Sequence, residues 1–329
     1  MKPMALSLGV TGGSYLEAHE WEASVAYRWL HINQVFSGDQ VVTGFNNTGF
    51  SESHSVAVTA TYALTRRFSL SLTLPFVYGE HHWAYEHSGA SGHGMTAAGL
   101  SDVTLVGNAW VLDPAKHSEG NIALSLGVKA PTGDDNARDI SYQATGPVVR
   151  PVDQSIQPGD GGWGIVLQMQ AFQKVFQNTY LYAAGFYLVN PREKNGTELV
   201  LSSYYGDGVF YINGVPDQYL ARAGLSYTLW PEKGFSVSLG GRLEGIPVRD
   251  LVGGGDNGFR RPGYTISLEP GLNLTRGKNT FTLSAPVRLD LKTEQSVLER
   301  QLSAATGTRI PGGAAVGDFA IQASYSRKF

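Results

Sequence analysis

Apolar and polar residues alternate along most of this chain. Phe68, Leu70, Leu72, Leu74, Phe76 and Tyr78 interleave with Ser69, Ser71 and Thr73. Trp21, Ala23, Val25, Tyr27 and Trp29 interleave with Glu22, Ser24, Ala26 and Arg28. A period of two sends successive side chains to opposite faces of a strand, so each segment reads as a strand with one apolar and one polar side. Twelve such segments can be marked between Glu20 and Phe329. Each is close to the ~10 residues that a tilted strand needs to cross a bilayer. The seventh, 180–189, is apolar on both faces and leaves its register open. Short turns at 65–67, 113–120, 177–179, 231–234 and 276–279 alternate with long polar stretches near 32–53, 79–98, 132–160, 190–216, 246–260 and 292–314. This alternation predicts an all-β fold, a transmembrane up-and-down antiparallel β-barrel of about 12 strands. The barrel is expected over 18–329, with 1–17 as an N-terminal periplasmic or luminal segment.

Aromatic residues cluster at both ends of the segments. Trp21, Tyr62, Phe68, Trp230 and Phe281 fall near the short turns, and Tyr27, Phe76, Tyr78, Trp163 and Phe319 fall near the long loops. Two such girdles suit rings seated between lipid and water. Composition narrows the classes further. The chain has no cysteine, which excludes disulfides, thiolate metal sites and a cysteine nucleophile. Its net charge of -3 offers no basic surplus for nucleic acid. No run of 18 apolar residues predicts a transmembrane helix, and "MKPMALSLGVTGG" lacks the apolar centre of a signal peptide.

The chain ends "DFAIQASYSRKF", with Phe319, Ile321, Tyr325 and Phe329 on one face. This resembles the C-terminal assembly signal of Gram-negative outer-membrane barrels, which implies recognition by the barrel assembly machinery. Arg327 interrupts the apolar face, and near an interface its long stem can reach water. Three internal stretches, "GLSDVTLVGNAWVLD" (99–113), "LGVKAPTGDDNARD" (126–139) and "GGWGIVLQMQ" (161–170), resemble the MetA-pathway of phenol degradation family of transport barrels. That resemblance implies uptake of aromatic or hydrophobic compounds and supplies no catalytic or binding residues.

Candidate chemistry lies mostly on the face assigned inward. Glu22, Arg28, Arg242, Glu244, Glu269, Arg288 and Asp290 form a luminal charge cluster, with Asp318 alongside. Charges facing lipid at mid-depth would cost ~2–4 kcal/mol each, so they belong inside. There they either brace the wall or form a constriction that sets solute preference. His81, His82, His87 and His93 crowd one long loop and could hold a metal, although their spacing fits no regular ligand set as well as it fits a solvated loop. No Ser and His share an outward face in the arrangement a membrane-embedded hydrolase needs, so no catalytic residue is assigned. No cofactor is expected. The functional expectation is an outer-membrane channel for passive diffusion of small solutes, with apolar or aromatic compounds as the candidates that the resemblance implies. A closed-lumen structural or surface-recognition barrel is the alternative, and an outer-membrane hydrolase a third reading. Expected partners are outer-membrane lipids, lipopolysaccharide, the assembly machinery and a small-molecule solute, with both termini periplasmic.

Overall fold

A computed structural model describes residues 15–42, 49–83, 87, 92–200, 210–254, 256–317 and 319–329. Strand β1 is Trp21–Ile32, β2 is Gly49–Ala63 and β3 is Phe68–Trp83. Strand β4 comes in two parts, Met95–Leu100 and Thr104–Trp110. Then follow β5 (Gly120–Lys129), β6 (Gly164–Phe176), β7 (Thr179–Val189), β8 (Gln218–Trp230), β9 (Phe235–Ile246) and β10 (Gly263–Arg276). Strand β11 is also split, into Asn279–Ser284 and Val287–Thr293, and β12 is Phe319–Lys328. Each strand pairs antiparallel with its neighbours in the chain, and β12 closes on β1, with Glu22 opposite Lys328 and His31 opposite Phe319. The result is a closed barrel of twelve antiparallel strands. Closure removes the free edge that a sheet cannot leave in hydrocarbon. Among the described residues, no helix is long and apolar enough to cross a membrane.

The alternation sorts as expected. Leu70, Leu72, Leu74, Leu124, Leu126 and Leu167 stand exposed on the outside. Ser53, Ser55, Ser226, Ser267 and Asn273 are buried inside. Strand β7 resolves its open register with Leu181 and Tyr187 outward and Tyr182, Phe186 and Leu188 buried inward. Glycines opposite Tyr182 make room for it: a Cβ at Gly224 would stand 2.7 Å from its hydroxyl.

One inward assignment is corrected. Strand β11 breaks at Ala285-Pro286, where proline offers no N–H to a ladder. Its second part then carries a bulge: Ser267 faces Arg288, but Ile266 faces Asp290, leaving Leu289 as the extra residue. Past the bulge the faces invert. Asp290 is therefore exposed on the outer side with Ile266, and Leu291 is buried inside against Phe36, Ala314 and Val316.

The long connections fold back over one end of the barrel. Two hairpins, Arg138–Gln143 with Gly146–Pro151 and Lys194–Val200 with Phe210–Gly214, stand there. So does helix α1 (Val297–Thr306), started by a capping box in which Ser296 and Glu299 bond each other's backbone N–H and ended by Gly307 at φ 69°. The stretch 292–314 reads as a polar loop, yet "SVLE" is the four-residue signature of such a box. At the turn end, Tyr15 packs edge-on to Trp110 at 4.8 Å and accepts a hydrogen bond at its carbonyl from Lys328. The remainder of the 1–17 segment, residues 1–14, lies outside the described residues, as does Asp318.

Candidate functional site

The barrel interior divides into two unlike halves. On the inner wall of β7–β10 and β1, long side chains fill the space. Arg242 donates to Glu244 at 2.7 Å and to Glu269 at 3.4 Å. Arg28 donates to Glu244 at 3.2 Å, and Ser284 to Glu269 at 3.2 Å. Arg222 completes the group, 3.6 Å from Glu269. Arg222 is not among the charges singled out from the sequence; its register opposite Arg242 on β9 is what joins it to them. Three guanidiniums and two carboxylates thus share one network, and every member's side chain is at most 20% exposed. Glu22 and Arg288 face inward but stand apart from it. Glu22 sits at the turn end opposite Lys328. Arg288 donates to the carbonyl of Gly317 and to Gln34, both at 3.1 Å, and lies over the Phe36 ring.

The other half, β1–β5 with the turn-end halves of β11 and β12, carries small residues. Hydroxyls bond across strands: Thr59 to Thr73 and Thr61 to Ser71, each at 2.9 Å. Asn108 donates to Ser71 at 3.0 Å and accepts from Ser125 at 2.7 Å. Small side chains leave space, and a cavity of about 350 Å³ lies along this wall. It runs from Arg66 and Arg67 at the turn end to Ser155–Asp160 at the loop end. Val106, Val166, Phe186 and Leu188 also line it as one apolar cluster, Val106 standing beside Ser71 in the register of β3 and β4. The cavity is therefore amphipathic: a row of hydroxyls offers hydrogen bonds, and the apolar cluster beside it offers apolar contact.

Its loop end is stopped by residues 152–162, which dip into the lumen. Ile156 rests on Gly79, where a Cβ would stand 2.6 Å from its own Cβ. Gly133 and Gly159 cross backbone to backbone, the Gly159 N–H donating to the carbonyl of Asp134 at 2.8 Å. Ser101 donates to the carbonyl of Pro158 at 2.5 Å. Lys129, on β5, donates to both carboxylate oxygens of Asp160 and stands 3.6 Å from Asp102. On the far side Arg261 grips Asp153 with two bonds of 2.9 and 2.6 Å. Burial alone would raise the Asp153 carboxyl, but the Arg261 guanidinium holds it well below the usual carboxylate range.

Lys129 and Asp102 both fall on inward faces in the alternation, but nothing in the sequence joins them to Asp160. Only the descent of the 152–162 segment does so. The four histidines do not converge. His81 and His82 take opposite faces of β3: His81 is buried against the Ser51 hydroxyl at 2.7 Å, and His82 stacks outside on Phe50. His87 and His93 lie with ring centroids 5.7 Å apart, His93 stacked on Tyr142. Among the described residues no group of three or more His, Asp or Glu is placed to hold a metal ion. Phe319 and Phe329 stand exposed on the outer face of β12, Phe329 donating its N–H to the carbonyl of Trp21 at 2.8 Å, while Ile321 and Tyr325 are half-buried between neighbours.

No family model and no curated protein matches the chain. Solved structures match its shape. An outer membrane channel from Pseudomonas putida F1 superposes with a TM-score of 0.61 at 15% identity, over 98% of this chain and 100% of that one. The beta domain of the Bordetella autotransporter BrkA superposes with a TM-score of 0.51 at 11% identity, over 94% of this chain and 100% of that one. At such identities the likeness is one of fold: a closed barrel shared by a channel and an autotransporter domain.

Proposed function

We propose that this chain is an integral barrel of the bacterial outer membrane that lets small solutes pass by diffusion. Both termini would be periplasmic, the outer wall would sit in lipid and lipopolysaccharide, and the aromatic face of β12 would serve the assembly machinery. One observation carries the reading: the amphipathic cavity that runs inside the wall from the turn end toward the loop end. An apolar strip beside a row of hydroxyls suits a solute with an apolar body, aromatic compounds included. No chemistry is assigned to the wall, so the solute gradient is the driver. The fold shared with the Pseudomonas channel supports this reading, although the same fold also serves an autotransporter domain.

The 152–162 segment favours a second reading, a barrel closed at rest that acts through its loops. Single-channel recording in a planar bilayer at two salt concentrations separates the two. Stable current steps from the folded protein support a channel. Insertion without current at any voltage or salt concentration would overturn it and leave the loops as the working surface.

A further inference from the structure

We propose that Lys129 is a binding site for the carboxylate of a small organic acid, occupied in this closed state by Asp160 as an internal stand-in. The inference deepens the channel reading and rests on it: arrival of such a solute would release the 152–162 segment and open the path.

The argument starts from where the charges lie. The Arg–Glu network is packed into the filled half and takes no part in lining the cavity. Among the described residues, the cavity meets charge only at its two ends. At the turn end these are Glu22, Arg66 and Arg67, and at the stopper Lys129, Asp102 and Asp160. Lys129 is the cation a solute meets where the path is blocked, and its side chain is only 4% exposed. Its partner there is a carboxylate carried by the blocking segment itself. Three bonds hold Asp160 at this spot: it takes the ammonium with both oxygens, and its N–H donates to Asp102 at 3.1 Å.

Exchange is electrostatically even. If Asp160 left unreplaced, the buried Lys129 ammonium would keep only Asp102 at 3.6 Å and lose its two close bonds, which is costly. A solute carboxylate that takes its place keeps the local count of charges unchanged, and Asp160 returns to water at the loop end. A neutral solute offers no such exchange. The neighbourhood also selects the remainder of the molecule. Gly164 lies under the Lys129 stem: a Cβ there would stand 2.7 Å from Leu188 Cδ1 and 3.0 Å from Lys129 Cε. Leu188, Val166 and Val106 continue from that point along the apolar side of the cavity. A head bound at Lys129 therefore lays its body on an apolar strip. About 350 Å³ admits a body of one ring or a short chain.

The test pairs single-channel recording with calorimetric titration of the folded full-length protein in detergent. The probes are benzoate and benzyl alcohol, matched in size and differing in charge, at constant ionic strength. Millimolar benzoate should raise open probability at least about tenfold, as loss of a charge-assisted bond to the segment implies, and benzyl alcohol should not. Asp160→Asn should raise open probability without benzoate. Lys129→Met should bind no benzoate and Lys129→Arg should bind it, with heat-shifted gel migration confirming that each variant is a folded barrel. A covalent lock completes the set. A Cβ at Gly99 would stand 3.7 Å from Pro158 Cβ, the separation a disulfide needs, and the chain has no other thiol. The Gly99→Cys/Pro158→Cys protein should close when oxidised and respond to benzoate again when reduced. Equal responses to benzoate and benzyl alcohol, or a current indifferent to the lock, would overturn the inference and leave the channel standing. Benzoate binding that depends on Lys129, with no current from any variant, would overturn the channel and leave the site standing.

Discussion

Replacing Arg242 by Met separates a brace from a filter. Arg242 touches both carboxylates of the inner network, with bonds of 2.7 and 3.3 Å to Glu244 and 3.4 Å to Glu269. Removing one partner of a buried ion pair costs roughly 3–5 kcal/mol, because the other charge is left without compensation. Here each carboxylate keeps one guanidinium: Glu244 keeps Arg28 at 3.2 Å, and Glu269 keeps Arg222 at 3.6 Å. The lower end of the range therefore applies, about 3 kcal/mol. Met fills much of the vacated volume, so a large cavity term is not added. The assay is reversible urea unfolding of the barrel in lipid vesicles, followed by tryptophan fluorescence. A drop of this size in unfolding free energy, with cation-to-anion preference unchanged in a bilayer, is the expected result. A variant as stable as the parent, with altered ion preference, would refute the bracing argument and make the network a filter.

Three further outcomes follow from named contacts. Gly79→Val places a side chain where Ile156 now sits, at a Cβ separation of 2.6 Å, and should lift the 152–162 segment, read as faster proteolytic cutting between Val152 and Gly162 in the intact barrel. The Asp153–Arg261 contact should resist acid. The folded carboxyl lies below the ordinary Asp value of about 3.9, so its stabilisation is full above that value and is lost only as pH falls through the depressed one. Segment protection measured by the same proteolysis with an acid protease should accordingly hold down to about pH 4. Phe329→Ala removes a ring that is 58% exposed at the rim; it should lower the yield of assisted assembly while changing unfolding by no more than about 1 kcal/mol, measured side by side in vesicles.

The wall of this barrel was legible because lipid and lumen impose opposite demands. Strands β2 and β3 alternate clearly, since Ser53, Ser55, Thr59, Thr61, Ser69, Ser71 and Thr73 give their inner face small hydroxyls. Strand β7 hid its register because Tyr182, Phe186 and Leu188 fill the packed half of the lumen and erase the polar contrast. Asp290 misled for a different reason: one extra residue at Leu289 inverts the faces beyond it, and a bulge leaves no mark in periodicity. The stopper was the least legible part. "VDQSIQPGDGG" has the glycine, proline and aspartate of any surface loop. Its descent depends on Gly79 and Gly133 at distant positions, and on Lys129 and Asp102 meeting Asp160 across strands that are far apart in the chain.

The unequal halves of the lumen have a consequence for how such a barrel changes over time. The residues that hold the cylinder in shape, the Arg–Glu network and Tyr182, are not the residues that line the cavity of about 350 Å³. A Thr59 or Ser71 can be exchanged at the cost of its cross-strand hydroxyl bonds alone, because no buried charge depends on it. The arc that lines the cavity and the arc that braces the wall are thus separate parts of one ring. Drift on the hydroxyl arc would retune what fits beside the wall, while the opposite arc keeps the cylinder round.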